Sequence, residues 1–179
     1  MRRILLSMLA ATALIASAAQ ANAGEPENML YMDLEKGRVV IELRPDLAPK
    51  HVARIKELAR EGFYDGLTFH RVIEGFMAQG GDPSGNGTGG SGQNIPAEFS
   101  RPGEAKHLRG TVSMARAQNP DSADSQFFIC FEPAPFLDGQ YTIWGQVTEG
   151  MEYIDQLKRG EPVRDPDKIV KLQVAADAE

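Results

Sequence analysis

Short segments whose hydrophobicity alternates with a period of two constrain the fold of this chain more than any other feature. Apolar residues occupy every second position of residues 29–34 and again of residues 38–44, and the residues between these segments end in Gly37. Alternation at this period places one face of a β-strand against a core. The pattern therefore predicts an opening β-hairpin.

Six further segments have the length and the apolar, β-branched and aromatic composition of strands. They are residues 68–73, 76–79, 111–115, 126–130, 142–147 and 169–174. Helical spacing of apolar residues occurs instead from Pro49 to a stop at Gly62, and over residues 151–158. The pattern predicts a mainly β fold, a closed eight-stranded antiparallel barrel capped by two α-helices, because closure leaves no strand edge exposed.

Residues 1–23 have the organisation of a secretory signal peptide. Arg2 and Arg3 precede an uncharged run over residues 4–19, and Ala21-Asn22-Ala23 matches the A-x-A pattern of a cleavage site. A membrane anchor is the alternative, but the run is shorter than the roughly 20 residues that a spanning helix needs. We therefore expect residues 1–23 to be a cleaved signal peptide and residues 24–179 to form a single domain.

Charge and cysteine content are typical of an exported, acidic protein. The net charge is −6 at pH 7, whereas nucleic-acid-binding proteins usually carry a basic excess. We therefore expect no nucleic-acid partner and, after cleavage, no stable membrane insertion. The single Cys130 lies in an apolar string, which in an oxidising compartment indicates a buried thiol. A periplasmic location fits best, and full secretion is the alternative.

A glycine-rich segment, GGDPSGNGTGGSG, occupies residues 80–92. Residues 85–90 match the dinucleotide-binding pattern G-x-G-x-x-G, but that pattern must open a helix and no helical periodicity follows here. We interpret the segment as a long polar loop whose glycines allow close approach of the backbone. A loop of this length in a compact domain is often functional.

The arrangement of histidines and serines gives no sign of metal, cofactor or hydrolytic chemistry. His51, His70 and His107 are widely separated, and no Cys/His pairing or G-x-S-x-G motif accompanies them. We therefore expect neither a metal nor a cofactor.

Arg71 is a cation within an apolar segment, FHRVIEGFMAQGGD. The strand period sends Arg71 to the side opposite His70 and Val72. This position makes Arg71 a candidate functional residue. The alternative is an arginine at a strand end that reaches solvent or pairs with an acid such as Glu98, because arginine is rarely fully buried.

Five motifs, taken together, resemble one protein family. FHRVIEGFMAQGGD, GDPSGNGTGGSG, GTVSMARA, SQFFIC and FLDGQYTIWGQV occur in the order and approximate spacing of the cyclophilin family of peptidyl-prolyl isomerases. The resemblance covers residues 29–174. It implies a bacterial, exported isomerase with an eight-stranded antiparallel barrel and two helices, in agreement with the strand pattern.

The resemblance also implies roles for individual residues. The family's catalytic arginine corresponds to Arg71. Its substrate-binding positions correspond to Phe76, Met77, Gln79, Ala115, Gln126, Phe128, Phe136, Leu137 and Tyr141. Four of these would form the pocket for the proline ring: Phe76, Met77, Phe128 and Leu137.

Three positions depart from the best-known eukaryotic pattern of the family. Phe136 stands where a tryptophan is common, Tyr141 where a histidine is common, and Arg116 where an asparagine is frequent. We therefore expect cyclosporin to bind weakly and the preference for residues flanking proline to differ. Catalysis should be affected less.

The chemistry of the X-Pro bond explains why such residues suffice. Rotation breaks amide resonance across a barrier of about 20 kcal/mol, and it needs no nucleophile, metal or cofactor. A guanidinium donor beside the prolyl nitrogen would stabilise the twisted state more than the planar states. The predicted function is peptidyl-prolyl cis-trans isomerisation of proline-containing segments of exported proteins during folding.

Two other functions are compatible with parts of the sequence. A non-catalytic chaperone or scaffold module would grip proline-containing segments without turnover. A barrel that binds a small ligand inside is a more distant alternative, because large interior residues would leave no cavity for it.

Overall fold

The structure is a computed structural model that describes residues 24–178. The predicted signal peptide, residues 1–23, lies outside the described residues. The strands are β1 (Met29–Leu34), β2 (Gly37–Leu43), β3 (Arg71–Ile73), β4 (Met77–Gly80), β5 (Thr111–Met114), β6 (Phe127–Cys130), β7 (Ile143–Glu149) and β8 (Ile169–Val174). The helices are α1 (Pro49–Arg60) and α2 (Met151–Ile154). Every predicted strand and helix is present in the predicted order.

The eight strands form one antiparallel sheet with the order β3-β4-β6-β5-β7-β2-β1-β8. The sheet curls into an open half-barrel, so the expected closure of the barrel is not confirmed. Strands β3 and β8 are the two edges. An isolated bridge between Thr68 and Lys168 links the chain before β3 to the chain before β8.

The segment that connects α2 to β8 covers the free edge of β3. The amide of Val72 donates to the carbonyl of Gly160 and the amide of Gly160 to that of Val72, both at 2.8 Å. The amide of Val163 donates to the carbonyl of His70 at 2.9 Å. Because this segment takes up the hydrogen-bonding groups of β3, the edge is protected without a ladder to β8.

Helix α1 begins at Pro49, whose missing N–H suits a first helical turn. The carboxylate of Glu98, far along the chain, accepts hydrogen bonds from the amides of Lys50 and His51, both at 3.0 Å. A negative charge at this end also interacts favourably with the helix dipole. Glu98 is therefore the cap of α1, and the alternative pairing of Glu98 with Arg71 is wrong.

Helix α2 is shorter than the helix that the sequence predicts over residues 151–158. After Ile154, the amide of Gln156 donates to the carbonyl of Tyr153 at 3.3 Å, and that of Leu157 to Ile154 at 3.1 Å. These bonds to the third preceding residue tighten the turn while Ile154 and Leu157 stay buried. The apolar side of the segment therefore packs as expected. In the described part of the chain, no helix is long and apolar enough to cross a membrane.

The inner face of the sheet encloses the larger hydrophobic core. Trp144, Tyr64, Phe69 and Phe127 are among its largest fully buried side chains. The ring of Phe127 meets Trp144 edge-on at a centroid distance of 5.9 Å and Phe69 at 6.2 Å. Aromatic side chains of the protein itself occupy the interior, which disfavours the alternative of a ligand bound inside.

A second, smaller apolar cluster lies on the opposite face of the sheet. Its buried members are Met77, Phe128, Cys130, Ala134 and Leu137. Cys130 is fully buried there, and burial raises the pKa of its thiol to about 12. The predicted burial of this thiol is confirmed. Met77, Phe128 and Leu137 of this cluster also line the candidate site.

Candidate active site

The register of β3, β4 and β6 brings Arg71, Gln79 and Phe128 into one row. Arg71 lies opposite Gln79, and Gln79 lies opposite Phe128. Directly paired residues of neighbouring antiparallel strands project to the same face of a sheet. Ile73 and Met77 form the adjacent row in the same way. The candidate site is therefore on the outer face, away from the larger core.

The guanidinium of Arg71 is held from two sides. Its Nη1 donates to Oε1 of Gln79 at 3.3 Å, and its Nε donates to Oε1 of Glu161 at 2.5 Å. The side chain of Arg71 is 36% exposed, so a bound ligand can reach it. Arg71 therefore does pair with an acid, as the alternative interpretation expected, but the acid is Glu161 and not Glu98.

A chain of side-chain amides connects Arg71 to the glycine-rich loop. Nε2 of Gln79 donates to Oε1 of Gln126 at 3.0 Å. Nε2 of Gln126 in turn donates to the carbonyls of Gly87 at 3.0 Å and Gly89 at 2.8 Å. Each amide accepts from one neighbour and donates to the next, so the loop fixes the orientation of both glutamines.

Asp82 organises the first half of the glycine-rich loop. Its side chain is buried and accepts hydrogen bonds from the amides of Ser84 at 2.7 Å, Asn86 at 3.0 Å and Gly87 at 2.5 Å. Burial opposes ionisation of Asp82, but these three amides hold the pKa of the carboxyl below its usual value. The loop conformation therefore depends on an ionised Asp82.

Asp124 closes the second half of the loop. Its carboxylate accepts from the amides of Ser91 at 2.6 Å and Gly92 at 3.0 Å. A side chain at Gly89 would collide with the carboxylate of Asp82, so glycine is required at that position. Asp82 and Asp124 already accept hydrogen bonds from the loop amides that would otherwise bind a phosphate. The loop supports the site, as the interpretation of a polar functional loop proposes.

Apolar side chains of the outer face border an open cavity of about 450 Å³. Nine of the predicted site residues line it: Arg71, Phe76, Met77, Gln79, Ala115, Phe128, Phe136, Leu137 and Tyr141. The remaining one, Gln126, lines an adjoining polar cavity of about 330 Å³ that shares Gln79 and Ala115 with the first. The fold therefore brings all the predicted site residues together.

Aromatic contacts form the walls of the larger cavity. Phe128 meets Tyr141 edge-on at a centroid distance of 5.8 Å, and Phe76 lies 5.5 Å from Phe136. Phe128 is buried, whereas Phe136 is 63% exposed. Phe128 therefore forms the floor of the cavity and Phe136 part of its rim.

His107 supports this floor, a role that the sequence pattern did not predict. Its ring stacks against Phe128 at a centroid distance of 6.1 Å. Its amide and its Nδ1 both lie within hydrogen-bond distance of Oδ1 of Asp138, at 2.8 and 2.9 Å. Asp138 follows Leu137 directly, so this contact fixes the turn that carries Leu137 into the cavity. Asp138 lies within the motif FLDGQYTIWGQV, which was the available signal in the sequence.

The other ring nitrogen of His107 lies 3.0 Å from Oγ of Ser113, which completes an Asp–His–Ser arrangement. Burial lowers the pKa of His107, and this effect outweighs the opposing influence of Asp138. Ser113 is fully buried, so a substrate carbonyl has no access to its hydroxyl. The arrangement therefore braces the cavity floor and does not form a hydrolytic site.

Arg116, a departure from the best-known eukaryotic family pattern, also borders both cavities, although it is not among the predicted site residues. Its guanidinium lies 4.7 Å from the ring centroid of Tyr141. Its Nε and Nη2 donate to the carbonyl of Gln140 at 3.1 and 2.9 Å. Arg116 therefore fixes one wall of the groove through a cation–π contact and backbone hydrogen bonds.

The histidines occupy structural positions. His51 contacts Glu98 at the start of α1, and His107 contacts Asp138. His70 is buried, and burial lowers its pKa. Within residues 24–178, no three His, Cys, Asp or Glu side chains come together as a metal-binding group.

The sequence matches a family model described as cyclophilin type peptidyl-prolyl cis-trans isomerase/CLD over residues 29–174. The chain belongs to the cyclophilin family. The resemblance found in the sequence is thereby confirmed, and the protein is an enzyme that catalyses peptidyl-prolyl cis-trans isomerisation.

Bacterial relatives of this cyclophilin are similar along most of its length. A probable peptidyl-prolyl cis-trans isomerase of Brucella suis is 51% identical over an alignment of 192 positions, gaps included, which covers 96% of each chain. Peptidyl-prolyl cis-trans isomerase B of Bacillus subtilis is 47% identical over 136 residues, which cover 75% of this chain and 94% of the relative.

Solved cyclophilin structures share the fold. A cyclophilin from Hirschia baltica has a TM-score of 0.79 at 30% identity and covers 91% of this chain and 81% of its own. A cyclophilin-type isomerase from Cryptosporidium parvum, crystallised in the presence of the dipeptide Ala-Pro, has a TM-score of 0.75 at 31% identity. That match covers 82% of this chain and 98% of the other.

The contacts of Asp82 predict a pH-dependent contribution to stability. Asp82→Asn should lower the free energy of unfolding at pH 7 by about 1.5–3 kcal/mol, the range for hydrogen bonds to a charged group. The pKa of Asp82 is lower in the folded protein than its unfolded value of about 3.9. Its stabilisation is therefore present above that value and is lost as the pH falls through the folded pKa.

Urea unfolding of both proteins at pH 7 and at about pH 3 measures this effect, with pH 3 chosen to lie below the usual aspartate pKa. The difference between wild type and Asp82→Asn should be smaller at the lower pH. Asp121→Asn is the control, because the exposed Asp121 bonds one amide of another segment, that of Ala97. An equal difference at both pH values would contradict the role of the ionised Asp82.

Proposed function

We propose that this cyclophilin accelerates rotation about X-Pro bonds of exported polypeptides during folding, with Arg71 as its catalytic residue. One observation carries the proposal. The guanidinium of Arg71 lies at the border of an apolar cavity whose walls include Phe76, Met77, Phe128 and Leu137. A hydrogen-bond donor and a pocket for a proline ring are thus adjacent.

The apolar cavity holds the prolyl side of the reacting X-Pro bond in place. A proline ring held among Phe76, Met77, Phe128 and Leu137 cannot turn freely, so rotation takes place on the N-terminal side of the bond. The apolar walls also exclude water, which strengthens a hydrogen bond made inside the cavity. The Ala-Pro dipeptide used with the Cryptosporidium parvum neighbour supports a proline-containing segment as ligand here.

Arg71 stabilises the twisted state of the X-Pro bond more than its planar states. As the amide twists, the prolyl nitrogen becomes pyramidal and its lone pair accepts a hydrogen bond, which it cannot do in the planar states. Nε and Nη1 of Arg71 are already bonded to Glu161 and Gln79. Among residues 24–178, Nη2 has no hydrogen-bond partner, so both of its N–H groups are available to the substrate.

The adjoining polar groove would bind the chain that flanks the proline. The amide of Ala115 is bonded to the carbonyl of Gln126 at 3.0 Å, which fixes the edge beside the polar cavity. Gln126 and Ala115 therefore offer a rigid surface for an extended peptide. Tyr141 and Phe136 line the apolar cavity, which adjoins this polar groove at Gln79 and Ala115.

A proline-binding chaperone or scaffold module without turnover is the second candidate. The apolar cavity would bind a proline ring in either case, so binding alone does not distinguish the two. The donor position of Arg71 favours the enzyme, because a donor that acts on the twisted state is useful only for turnover.

Arg71 variants test the catalytic assignment. Arg71→Ala should lower kcat about ten- to a hundredfold, which corresponds to a charge-assisted hydrogen bond of about 1.5–3 kcal/mol. Arg71→Lys should also lose most of the rate, because lysine keeps the charge but lacks the planar fork. Peptide affinity should fall less than kcat, since the apolar cavity remains.

The measurement is an isomerisation assay on an X-Pro peptide, together with a peptide titration. Arg109→Ala is the matched control, because it removes an exposed arginine that pairs with Asp155 away from the cavity. Wild-type turnover in a folded Arg71→Ala enzyme would show that Arg71 is not catalytic.

Cyclosporin should bind this enzyme weakly, and Phe136 provides the test. Phenylalanine lacks the indole N–H, so Phe136→Trp should tighten cyclosporin binding by about 0.5–1.5 kcal/mol, up to roughly tenfold. Val170→Trp is the control, because Val170 is also exposed but lies on β8, at an edge of the sheet. Equal affinities of wild type and Phe136→Trp in a fluorescence titration would show that the inhibitor does not use this position.

Export through a signal peptide is the remaining part of the proposal. The basic start, the uncharged run and the Ala21-Asn22-Ala23 site support cleavage after Ala23 and a periplasmic location, with full secretion as the alternative. When the full chain is expressed in a Gram-negative host, mass spectrometry of the osmotic-shock fraction should find a protein that begins at Gly24. A mature protein in the medium would favour secretion, and an uncleaved chain in the cytoplasm would contradict export.

A further inference from the structure

We propose that Glu161 is a positioning residue for Arg71. Its carboxylate holds the guanidinium by Nε, and the Nη2 donor is thereby directed to the cavity. This inference rests on the catalytic role proposed for Arg71. Glu161 lies in the segment between α2 and β8, and none of the site residues predicted from the sequence lies in that segment.

The backbone of this segment places Glu161 beside Arg71 by register. Val72 and Gly160 exchange two backbone hydrogen bonds as an antiparallel bridge, both at 2.8 Å. Arg71 directly precedes Val72 and Glu161 directly follows Gly160, so the two residues lie side by side next to the bridge. The side chain of Glu161 reaches Nε of Arg71, whose side chain lines the cavity, so both side chains lie on the outer face.

The turn after this bridge is too tight for a side chain at Gly160. A Cβ there would lie 2.7 Å from the carbonyl oxygen of Pro162 and 2.8 Å from Cα of Val163. After the turn, the amide of Val163 donates a hydrogen bond to the carbonyl of His70 at 2.9 Å. Glu161 is therefore anchored to β3 on both sides, at Gly160 and at Val163.

Two acceptors on different groups of the guanidinium define its orientation. Oε1 of Glu161 accepts from Nε at 2.5 Å, and Oε1 of Gln79 accepts from Nη1 at 3.3 Å. Because the guanidinium is planar, two fixed contacts set the direction of the remaining Nη2. A free arginine side chain has many rotamers, so this arrangement removes the need to order Arg71 during the reaction.

The contribution of this ion pair to stability should be small. The side chains of Arg71 and Glu161 are 36% and 57% exposed, and exposed ion pairs are screened by solvent. The effect of Glu161 is therefore expected in kcat, which depends on the donor geometry, and much less in unfolding or in KM. This separation distinguishes a positioning role from a structural one.

Glu161→Leu, Glu161→Gln and a control test the inference with the purified enzyme and an X-Pro peptide. Leucine removes the acceptor, so kcat should fall about three- to tenfold with KM nearly unchanged. Glutamine keeps an acceptor oxygen, so kcat should remain within about twofold of wild type. Glu74→Leu is the matched control, because it removes another 2.5 Å carboxylate–Nε contact, with Arg159, and should leave kcat unchanged.

Two further measurements connect the effect to Arg71. In the Arg71→Ala background, adding Glu161→Leu should cause no further loss of kcat, since the group that Glu161 positions is missing. In ¹H–¹⁵N spectra, the Nε–H resonance of Arg71 should be visible in wild type and in Glu161→Gln. It should be broadened or shifted in Glu161→Leu.

Several outcomes would overturn the inference. Unchanged kcat in a folded Glu161→Leu enzyme would do so, as would an equal loss in Glu161→Gln or an additive loss in the double variant. If Arg71→Ala lowers kcat while Glu161→Leu does not, only the role of Glu161 fails. If Arg71→Ala itself retains wild-type kcat, the proposed catalytic role fails first.

Discussion

Side chains of a β-strand alternate between its two faces, and the site of this cyclophilin depends on that alternation in β6. Phe127 packs in the core against Trp144, whereas its neighbour Phe128 forms the floor of the cavity on the outer face. A shift of register by one residue would exchange the two rings. The same strand thus stabilises the fold with one face and forms the floor of the proposed substrate pocket with the other.

Polar contacts on the outer face then determine where the donor lies. Arg71 is connected through Gln79 and Gln126 to the glycine-rich loop, and through Glu161 to the segment that covers the edge of β3. The loop in turn depends on the ionised Asp82. Parts of the chain with little regular structure therefore fix the orientation of the Arg71 guanidinium, while the sheet places Arg71, Gln79 and Phe128 in one row.

The sequence predicted what local periodicity and motif order determine: the strands, both helices and the lining of the cavity. It did not predict contacts between distant segments. Glu161 contacts Arg71, whereas Glu98 caps the start of α1. Both partners are distant in the sequence, so only the tertiary structure shows which acid has which role. The same reason explains the missed contact of His107 with Asp138. The expected closure of the barrel is not confirmed, and the edge of β3 pairs instead with Gly160 of the segment between α2 and β8.

The central claim is that the outer-face row of β3, β4 and β6 binds an X-Pro segment and speeds its rotation. Exchange NMR of an X-Pro peptide with a catalytic amount of the enzyme, combined with ¹H–¹⁵N spectra of the enzyme, tests both parts at once. The account predicts accelerated cis–trans exchange, with shift changes concentrated at Arg71, Gln79 and Phe128 and small changes on β8. Uncatalysed exchange, or shift changes on another surface, would contradict it.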